Sequence, residues 1–547
     1  MNKQIAALVA IGLALVGAAG SRPQPAPAAQ SSAREFVIRD VRMFDGERVV
    51  PRTNVHVRDG SIVSVSGTVP TGIESIPGDG RTLLPGFIDA HTHSWGDALE
   101  RALVFGVTTQ LDMFTEKGFA ASMRAEQQKP DGALRRADLY SSGTLVTSPK
   151  GHGTEYGMVI PTLATAADAP AFVDARIAEG SDYIKIVYDD GAAYGISFPT
   201  LDREVLKATI DAAKARGKLA VVHIGSRQGA DDAIAAGASG LAHIFCDAAP
   251  AADFAKRVAV ARAFVTPTLS VNESTTGVAS GASLVKDPRL EAFITTQEQT
   301  SLNGSFPKRA ASKTNLAFAL EATRQLYDAK VPILAGTDAP NPGTSHGLSM
   351  HRELELLVRA GLTPEAALAA ATSVPARTYN LRDRGRIAPG LRADLVLVAG
   401  DPTRDIMATR DIVAIWKRGA RVERPKAAPA TATAPAAATT TGLVSDFDAS
   451  EVRAEFGGGW QISTDSLIGG KSTATMKIVG GGANGSRGAL EATGVIAQGA
   501  PFNRASGAYV SGGNPDWLPV TWRELLELLR SRREDCAPGS CGNSTVR

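Results

Sequence analysis

The middle of the chain alternates between short apolar runs and stretches rich in Ala, Glu and Arg. This pattern is typical of βα units that surround a parallel sheet. We count eight candidate strands, and eight units over about 300 residues favour a closed (β/α)8 TIM-type barrel over an open sheet. The predicted strands are Leu83–His91, Gly106–Met113, Ala137–Val146, Asp182–Tyr188, Leu219–Ile224, Gly240–Cys246, Phe264–Leu269 and Pro332–Asp338. The long stretch between the last two strands is expected to hold an extra helix or a lid.

The segments on both sides of this block have the alternation of β-strands. Val37, Arg39 and Val41 alternate near the N-terminal end of the block, and an Asp59-Gly60 turn signal follows a second such run. The same strand-like pattern recurs downstream in ADLVLV and DIVAIWK. The sequence therefore predicts one small β-sandwich built from both flanks.

The two ends of the chain differ from this central part. Lys3 precedes an apolar run from Ile5 to Ala19, which predicts a secretory signal peptide and a periplasmic or secreted protein. An uncleaved anchor is the alternative, but the run is short for a bilayer span of about 20 residues, so no stable membrane insertion is expected after cleavage. The predicted regions are a signal peptide (1–20), a disordered linker (21–34), the composite β domain (35–82 and 385–425), the barrel (83–384), an Ala/Pro/Thr linker (426–441), a partial β domain (442–499) and an irregular tail (500–547).

Charge and cysteine content narrow the function classes. The net charge is +2, and no basic stripe is interleaved with aromatic residues, which disfavours a nucleic-acid partner. Cys246, Cys536 and Cys541 are too few for a disulfide framework or a cysteine-based zinc site. A small-molecule substrate is consistent with this charge and cysteine content, and assembly into a homo-oligomer stays an open alternative.

A pair of histidines ends the first predicted strand, in FIDAHTH. Alternate strand residues point to the same side, so His91 and His93 would both face the mouth of the barrel. Neutral imidazole is a good ligand for zinc and similar metals. Alone, the pair could equally be two ordinary polar positions.

Three further polar residues fall at equivalent places on other strands. His223 ends the fifth strand, His243 lies in the sixth, and Asp338 ends the eighth. Four of the chain's eight histidines therefore occupy strand positions that converge on one rim. Core histidines with satisfied hydrogen bonds do not explain this placement well, and the pattern favours a metal site.

Lys185 lies in YIKIVYD on the fourth strand, with apolar neighbours on both sides. Burial disfavours an unpaired ammonium group and lowers its pKa. A neutral buried amine can react with carbon dioxide, and the resulting carbamate is an oxygen ligand that could bridge two metals. A lysine in a salt bridge is the alternative, but the histidines predicted on the neighbouring strands favour a metal ligand.

Together these motifs resemble the amidohydrolase superfamily, in its imidazolonepropionase and Xaa-Pro dipeptidase-like branch. The resemblance covers residues 35–424 and rests on LLPGFIDAHTH, YIKIV, the two single-histidine strands, GTDAPNPGTSHG and GRIAPGLRADLVLVAGDP. It implies that His91, His93 and Asp338 hold one divalent metal and that His223 and His243 hold another. Carbamylated Lys185 would bridge them, and zinc is the expected metal.

The implied chemistry is hydrolysis of an amide-like carbon–nitrogen bond. A water between two divalent cations becomes hydroxide near neutral pH and attacks a polarised carbonyl. Asp338 would act as the catalytic residue that takes the proton and passes it to the leaving group. Peptide hydrolysis of the dipeptidase or carboxypeptidase type, lactone or ester hydrolysis, a mononuclear deaminase-like site and an inactive barrel that acts as a binding protein stay open.

Substrate-side candidates are weaker. His152, in the glycine-rich loop GHGTEYG, and His346, after the eighth strand, are candidate substrate-binding residues, although a surface histidine would fit the first equally well. His351 is predicted on a solvent-facing helix, and His56 on the surface of the β domain. The dipeptidase members carry a tyrosine three residues after the fifth-strand histidine, where this chain has Ser226, so a peptide substrate is in doubt.

The C-terminal segment from FGGGWQISTDSLIGGKS to GALEATG resembles the start of the complex I intermediate-associated protein family, a β-sandwich of the galactose-binding type. The resemblance stops near Gly499. We therefore expect an incomplete sandwich that is followed by a truncated or out-of-frame tail.

Overall fold

The structure is a computed structural model that describes residues 35–68, 71–156 and 159–426, together with short strands between residues 462 and 546. The predicted signal peptide, the first linker and nearly all of the second linker lie outside the described residues. Within the described residues, no helix combines the length and the apolar character that a membrane crossing requires.

Fifteen strands belong to the main body, and they fall into two groups. The strands are β1 (Glu35–Phe44), β2 (Val49–Arg58), β3 (Ser61–Ser66), β4 (Glu74–Pro77), β5 (Arg81–Pro85), β6 (Phe87–Thr92), β7 (Val107–Asp112), β8 (Asp138–Ser141), β9 (Ile184–Tyr188), β10 (Ala220–Ile224), β11 (Gly240–Ala242), β12 (Phe264–Thr266), β13 (Leu395–Ala399), β14 (Ile412–Lys417) and β15 (Ala420–Arg421). The first five and the last three form one group, and β6 to β12 form the other.

The helices fill the connections between the strands of the second group. They are α1 (Ala98–Val104), α2 (Lys117–Gln127), α3 (Gly132–Arg135), α4 (Ala169–Ala178), α5 (Arg203–Ala215), α6 (Arg227–Ala235), α7 (Phe254–Ala261), α8 (Leu269–Thr275), α9 (Ala282–Val285), α10 (Thr296–Leu302), α11 (Leu316–Asp328), α12 (Leu348–Arg359), α13 (Pro364–Ala370) and α14 (Ser373–Thr378). Four of them, α8 to α11, lie in the long stretch where the sequence predicts an extra helix or lid.

Helix α5 shows why these connections are helical. The Asp202 side chain accepts a 2.8 Å hydrogen bond from the Val205 backbone N–H and so caps the first turn. Val205, Leu206 and Ile210 recur at helical spacing and are buried. Each such helix therefore presents one apolar face to the sheet.

The strands of the two flanks form one sheet in the order β15-β14-β13-β5-β1-β2-β3, with β4 also paired to β1. Phe36 on β1 and Trp416 on β14 are separated by two strands, yet their rings stack with centroids 5.5 Å apart. Adjacent strands are about 4.8 Å apart, so a flat sheet would hold the two rings much farther apart. The sheet therefore folds over on itself, as the predicted sandwich requires.

The strands of the second group are parallel and follow each other around a ring. β6-β7-β8 and β9-β10-β11-β12 are hydrogen-bonded in chain order. Parallel bridges then link Val146 with Ile186, Val265 with Ile333, and Thr92 with Ala339. The segment before Asp338 thus joins the last strand to the first, and the predicted (β/α)8 barrel fold is confirmed.

The predicted first strand, Leu83–His91, is in fact two strands. β5 pairs with β13 in the flanking sheet, and β6 pairs with β7 in the barrel. The change occurs at Gly86, where an added Cβ would collide with the Thr108 side chain. The apolar run continues through both strands because both are buried, so its pattern does not reveal the break.

The predicted eighth strand is also less regular than expected. Leu334 N donates to Val265 O at 2.9 Å, but Ala335 N turns away to Ala370 O at 2.7 Å. At Gly336 an added Cβ would lie 2.8 Å from the His91 Cβ. This close approach explains why the segment bonds to its neighbours without completing a regular strand.

A buried charged cluster fixes the flanking sheet to the N-terminal ends of the barrel strands. We call it the basal cluster: Asp138, Arg384, Arg392, Asp394 and Lys417. Lys417 Nζ lies 2.9 Å from Asp138 Oδ1, and Arg384 Nη1 donates to Asp138 Oδ2 at 2.7 Å. Every charge in the cluster therefore has an opposite charge beside it.

The C-terminal segment contributes five short strands to the described residues: β16 (Ile462–Ser463), β17 (Thr473–Gly480), β18 (Gly488–Val495), β19 (Tyr509–Val510) and β20 (Ser544–Val546). β17, β18 and β20 form one small antiparallel sheet, and β16 pairs with β19. The predicted partial β domain and irregular tail otherwise lie outside the described residues.

Candidate metal centre

The histidine pair and the final aspartate meet at the C-terminal end of the barrel. His91 is buried, and its Nε2 lies 3.3 Å from Asp338 Oδ1. His93 Nε2 lies 3.1 Å from the same oxygen. Suitable ligand atoms of these three residues are all within 4.8 Å of one another, so β6 and the eighth barrel segment place them as the sequence predicts.

The backbone at Asp338 is unusual. Its φ is +55°, a left-handed conformation that non-glycine residues rarely adopt. Two residues earlier, Gly336 allows the segment to pass close to His91, and the Asp338 N–H donates to His91 O at 2.7 Å. Strained backbone of this kind is concentrated at functional sites, and here it aims the carboxylate at the histidine pair.

Lys185 lies on β9 inside the barrel and is buried. Its Nζ is 3.3 Å from His91 Nε2. Burial lowers the pKa of Lys185 to about 7, and within the described residues the structure shows no ion pair for it. The amine therefore lies beside the histidine pair without a carboxylate partner.

The other two predicted histidines form a second pair. His243 Nε2 is 3.1 Å from His223 Nδ1, and His243 Nδ1 is 2.7 Å from Thr268 Oγ1. The His91 and His243 rings are 4.6 Å apart between centroids, which joins the two pairs. His243 and Thr268 both have positive φ angles, 73° and 48°, another local departure from regular strand geometry.

These contacts bring all six predicted ligand residues into one group, which we call the rim cluster: His91, His93, Lys185, His223, His243 and Asp338. His91 Nδ1 and Asp338 Oδ1 are buried and have no hydrogen-bond partner among the described residues. Buried polar atoms are normally satisfied. A set of imidazole nitrogens and one carboxylate oxygen facing each other is the donor set that divalent zinc prefers, so the residues present fit a metal site.

Burial also keeps three of these imidazoles, those of His91, His223 and His243, neutral. It lowers the pKa of His91 to about 3 and that of His223 to about 4. The pKa of His243 lies well below its ordinary value for the same reason. Burial alone would raise the pKa of Asp338, but His91 and His93 hold it well below its usual range. At neutral pH the cluster therefore offers neutral nitrogens and an ionised carboxylate, which are the forms that bind metals.

Two buried carboxyl groups hold the ligand-bearing backbone in place. Asp89 accepts hydrogen bonds from Thr337 Oγ1 at 2.7 Å and from the His91 N–H at 3.2 Å. Asp112 accepts from the Ser94 N–H at 2.7 Å. Burial raises the pKa of Asp89 to about 7 and that of Asp112 to about 6. Sequence reasoning missed both residues, because Thr337 and Ser94 come to them from other segments of the chain.

Asp189 is a third residue that sequence reasoning missed. Its Oδ2 lies 3.2 Å from His223 Nε2, and its Oδ1 accepts from the Gly191 N–H at 2.9 Å. Opposite it, Gly225 has no side chain, and an added Cβ there would collide with the carboxylate. In the sequence, the Asp189-Asp190 pair directly after the fourth predicted strand could have indicated this residue.

The two histidines predicted to bind substrate lie in different environments. His152 is close to the rim cluster, with its ring centroid 5.0 Å from that of His223 and its Nδ1 2.5 Å from Glu155 Oε1. His346 is buried behind His93, with Nδ1 3.0 Å from Gln110 Nε2. Both candidates therefore lie near the site, and their roles in substrate binding stay predictions.

Two predictions about surface histidines are wrong. His351 is buried, and its ring nitrogens contact Thr409 Oγ1 and Phe105 O. His56 is also buried, and its Nε2 lies 2.8 Å from Glu35 Oε1. Both burials depend on partners from distant parts of the chain.

Ser226 stands where the dipeptidase-like pattern has a tyrosine, and its position is structural. Its hydroxyl accepts a 3.1 Å hydrogen bond from the Gly229 N–H and caps α6. The side chain that would correspond to a substrate-binding tyrosine is therefore engaged with the helix.

Comparisons with known proteins agree with this geometry. The model described as "Amidohydrolase family" matches residues 82–423. The imidazolonepropionase of Deinococcus radiodurans is 25% identical over 391 residues, which cover 64% of this chain and 87% of that protein. That of Deinococcus deserti is 42% identical over 103 residues, but these cover only 18% of this chain and 26% of that protein.

Solved structures show the same fold. A Xaa-Pro dipeptidase with bound methionine superposes with a TM-score of 0.58 at 22% identity, covering 71% of this chain and all 100% of that one. The ochratoxinase of A. niger gives a TM-score of 0.55 at 20% identity over 71% of this chain and 96% of that one. At this level of identity the likeness concerns the fold.

Proposed function

The chain belongs to the amidohydrolase family and is a metal-dependent hydrolase of carbon–nitrogen bonds, and from this premise we propose that it cleaves an amide-like bond of a small molecule at a binuclear site. The observation that carries the proposal is the rim cluster. Its residues come from four barrel strands, or directly follow them, and from the eighth segment, and they meet at one end of the barrel. A family relationship alone would not require all of them to be present.

In this proposal His91, His93 and Asp338 hold one metal, and His223 and His243 hold the other. Lys185 lies in contact with His91 and has no ion pair among the described residues, which supports a carbamylated bridge at this position. When bound, divalent metals polarise a carbonyl group and lower the pKa of water to about 7. Zinc is the metal that this nitrogen-rich donor set suits best.

The chain's own residues have distinct roles in the proposal. The Asp338 carboxylate, which faces both histidines of the first pair, accepts a proton from the attacking water and delivers it to the leaving nitrogen. His152, oriented by Glu155, lies beside His223 and can donate a hydrogen bond to the substrate. Asp89 and Asp112 keep the ligand-bearing backbone fixed.

The substrate is a carbon–nitrogen amide in preference to a lactone or a dipeptide. A peptide substrate loses support because the Ser226 hydroxyl caps a helix instead of facing the site. We also propose export to the periplasm or the medium, on the basis of the apolar run in residues 1–20. A binding protein without activity would not need the complete set of six ligand residues.

The test is a hydrolysis screen with protein lacking residues 1–20, purified with zinc and bicarbonate. N-acyl amino acids, dipeptides and lactones are offered in parallel, and product is measured before and after removal of metal by a chelator. We expect hydrolysis of N-acyl amino acids that disappears with the metal and returns when zinc is added. Hydrolysis that survives complete metal removal, or turnover of lactones alone, would contradict the proposal.

A further inference from the structure

The rim cluster is part of a closed circuit of aromatic rings. From His93 the circuit runs to Phe114, with ring centroids 6.4 Å apart, and from Phe114 to Tyr156 at 6.1 Å. It continues from Tyr156 to His152 at 6.0 Å and from His152 to His223 at 5.0 Å. The four rim histidines close it, so one side of the circuit is made of candidate ligands and the other of Phe114, Tyr156 and His152.

Solvent exposure on the second side of the circuit differs from residue to residue. Phe114 is buried and packs with Leu145 and Val187, so its ring belongs to the core beneath the site. Tyr156 lies in the loop after β8, and 42% of its surface is exposed. Phe198 is half-buried, with its ring 5.4 Å from that of His152. An aromatic wall thus leads from the rim cluster outward.

Other exposed apolar residues follow barrel strands at the same end of the barrel. Six large apolar side chains are exposed in the described part of the chain, and three of them follow barrel strands at the end where the rim cluster lies. They are Trp95, Tyr156 and Val159, with 53%, 42% and 103% of their surface exposed. Trp95 is only two residues from His93. Exposed apolar residues beside a candidate active site are suited to contacts with an apolar ligand.

Core packing accounts for Phe114 but not for Tyr156 and Phe198. Both rings keep solvent-accessible surface while lying next to His152, and neither ring is part of the hydrophobic clusters of the described residues. Aromatic rings offer stacking and edge contacts to a planar apolar group. A partly exposed wall beside a reactive centre is suited to a substrate group that covers it on binding.

We propose that Tyr156 and Phe198, backed by Phe114, form an aromatic subsite that selects substrates with an aromatic or large apolar group next to the scissile carbon–nitrogen bond. The inference rests on the proposed function, since it names the substrate class of the same site. A hydrophobic pocket discriminates by roughly 10- to 200-fold for each methylene that it can bury. Burial of an aromatic ring should therefore change kcat/KM by about 10-fold or more.

The test compares kcat/KM for matched amides that differ only in the apolar group. N-benzoylglycine is paired with N-acetylglycine, and N-acetyl-L-phenylalanine with N-acetyl-L-alanine. For the wild type we expect at least one pair to favour the aromatic member by about 10-fold or more. Tyr156→Ala and Phe198→Ala should each lower this ratio toward one, whereas Tyr156→Phe, which keeps the ring, should preserve it.

Val260→Ala serves as the control, because Val260 is exposed on α7 and lies outside the aromatic circuit. It should leave the ratio unchanged. The aromatic subsite is overturned if both pairs give equal kcat/KM in the wild type. It is equally overturned if the preference survives in both alanine variants.

A binding measurement separates this inference from the proposed function. Calorimetry with N-benzoylglycine and N-acetylglycine uses the zinc-loaded wild type, and the first compound should bind more tightly, by about 10-fold. Tighter binding without any hydrolysis keeps the subsite and refutes the amidase activity. Equal binding of both compounds refutes the subsite even if amides are cleaved.

Discussion

Two buried clusters of polar side chains lie at opposite ends of the barrel, and their charges are arranged differently. In the basal cluster Lys417 lies 2.9 Å from Asp138, and Arg392 lies 2.6 Å from Asp394. In the rim cluster Lys185 has no ion pair among the described residues, and Asp338 Oδ1 lacks a hydrogen-bond partner there. The basal cluster pairs its cations with carboxylates, whereas the rim cluster contains a lysine without an ion pair among the described residues.

The difference separates a structural role from a functional one. A buried polar atom without a hydrogen-bond partner costs about 1–3 kcal/mol of stability, and a buried charge that loses its partner costs about 3–5 kcal/mol. The Lys417 and Arg392 cations hold the pKa of Asp138 well below its usual range, although burial alone would raise it. The basal cluster is held together by its own ion pairs, whereas the rim cluster has the donor set of a metal site.

The largest expected effect comes from a matched pair of aspartates. Asp338→Asn should reduce kcat by about 10²- to 10⁴-fold, because it removes the proposed proton carrier, and should leave the fold intact. Asp138→Asn should lower the free energy of unfolding by about 3–5 kcal/mol, because Lys417 and its neighbours would lose their counter-charge. Activity and chemical unfolding of both variants provide the measurement. Equal losses of activity per folded molecule would abolish the distinction.

A pair of lysines tests the same contrast through stability alone. Lys417→Met should destabilise the protein by about 3–5 kcal/mol, because it leaves Asp138 and Asp394 without this cation. In the presence of a chelator, Lys185→Met should leave the stability unchanged or raise it, because Lys185 is buried and has no ion pair among the described residues. Thermal unfolding of both variants without metal is the measurement. A large destabilisation by Lys185→Met would show that the rim lysine is structural.

A smaller effect is expected from the carboxyl group behind the ligands. Asp89→Asn should weaken metal binding about 10- to 100-fold, as is usual for residues that orient ligands, since Asp89 holds the Thr337 and His91 backbone. Metal competition with a chromogenic chelator measures the affinity. Asp211→Asn, an exposed position on α5, is the matched control and should bind metal like the wild type. Unchanged affinity in Asp89→Asn would assign this carboxyl group to the fold alone.

The smallest expected effect concerns Ser226. Because its hydroxyl caps α6, Ser226→Ala should cost about 1 kcal/mol of stability and should leave kcat/KM for every cleaved substrate unchanged. Urea unfolding and the substrate screen measure the two effects. A selective loss of activity on one substrate would instead place Ser226 in the binding site.

The positions of the rim residues could be predicted from the sequence for a simple physical reason. The last residues of parallel barrel strands share one end of the fold, and alternate residues share one side. His91, His93, His223 and Asp338 satisfy both conditions. The prediction of convergence therefore needed only the strand assignment and did not depend on loop conformations.

Other features could not be predicted because they depend on contacts between distant segments. The break between β5 and β6 lies at Gly86, where the close approach of Thr108 leaves no room for a side chain. His351 is buried because Phe105 O and Thr409 come to it from elsewhere in the chain. The basal cluster likewise joins Asp138 to Lys417, which are far apart in sequence. Local periodicity carries no information on such partners.

The central claim is a two-metal centre in the rim cluster, and metal stoichiometry tests it most directly. Protein without residues 1–20 is purified with zinc and bicarbonate, as wild type and as Lys185→Met, and its bound metal is counted by elemental analysis. We predict about two ions per chain in the wild type and a clear loss in the variant. No bound metal in the wild type, or equal metal content in both proteins, would contradict the bridged centre.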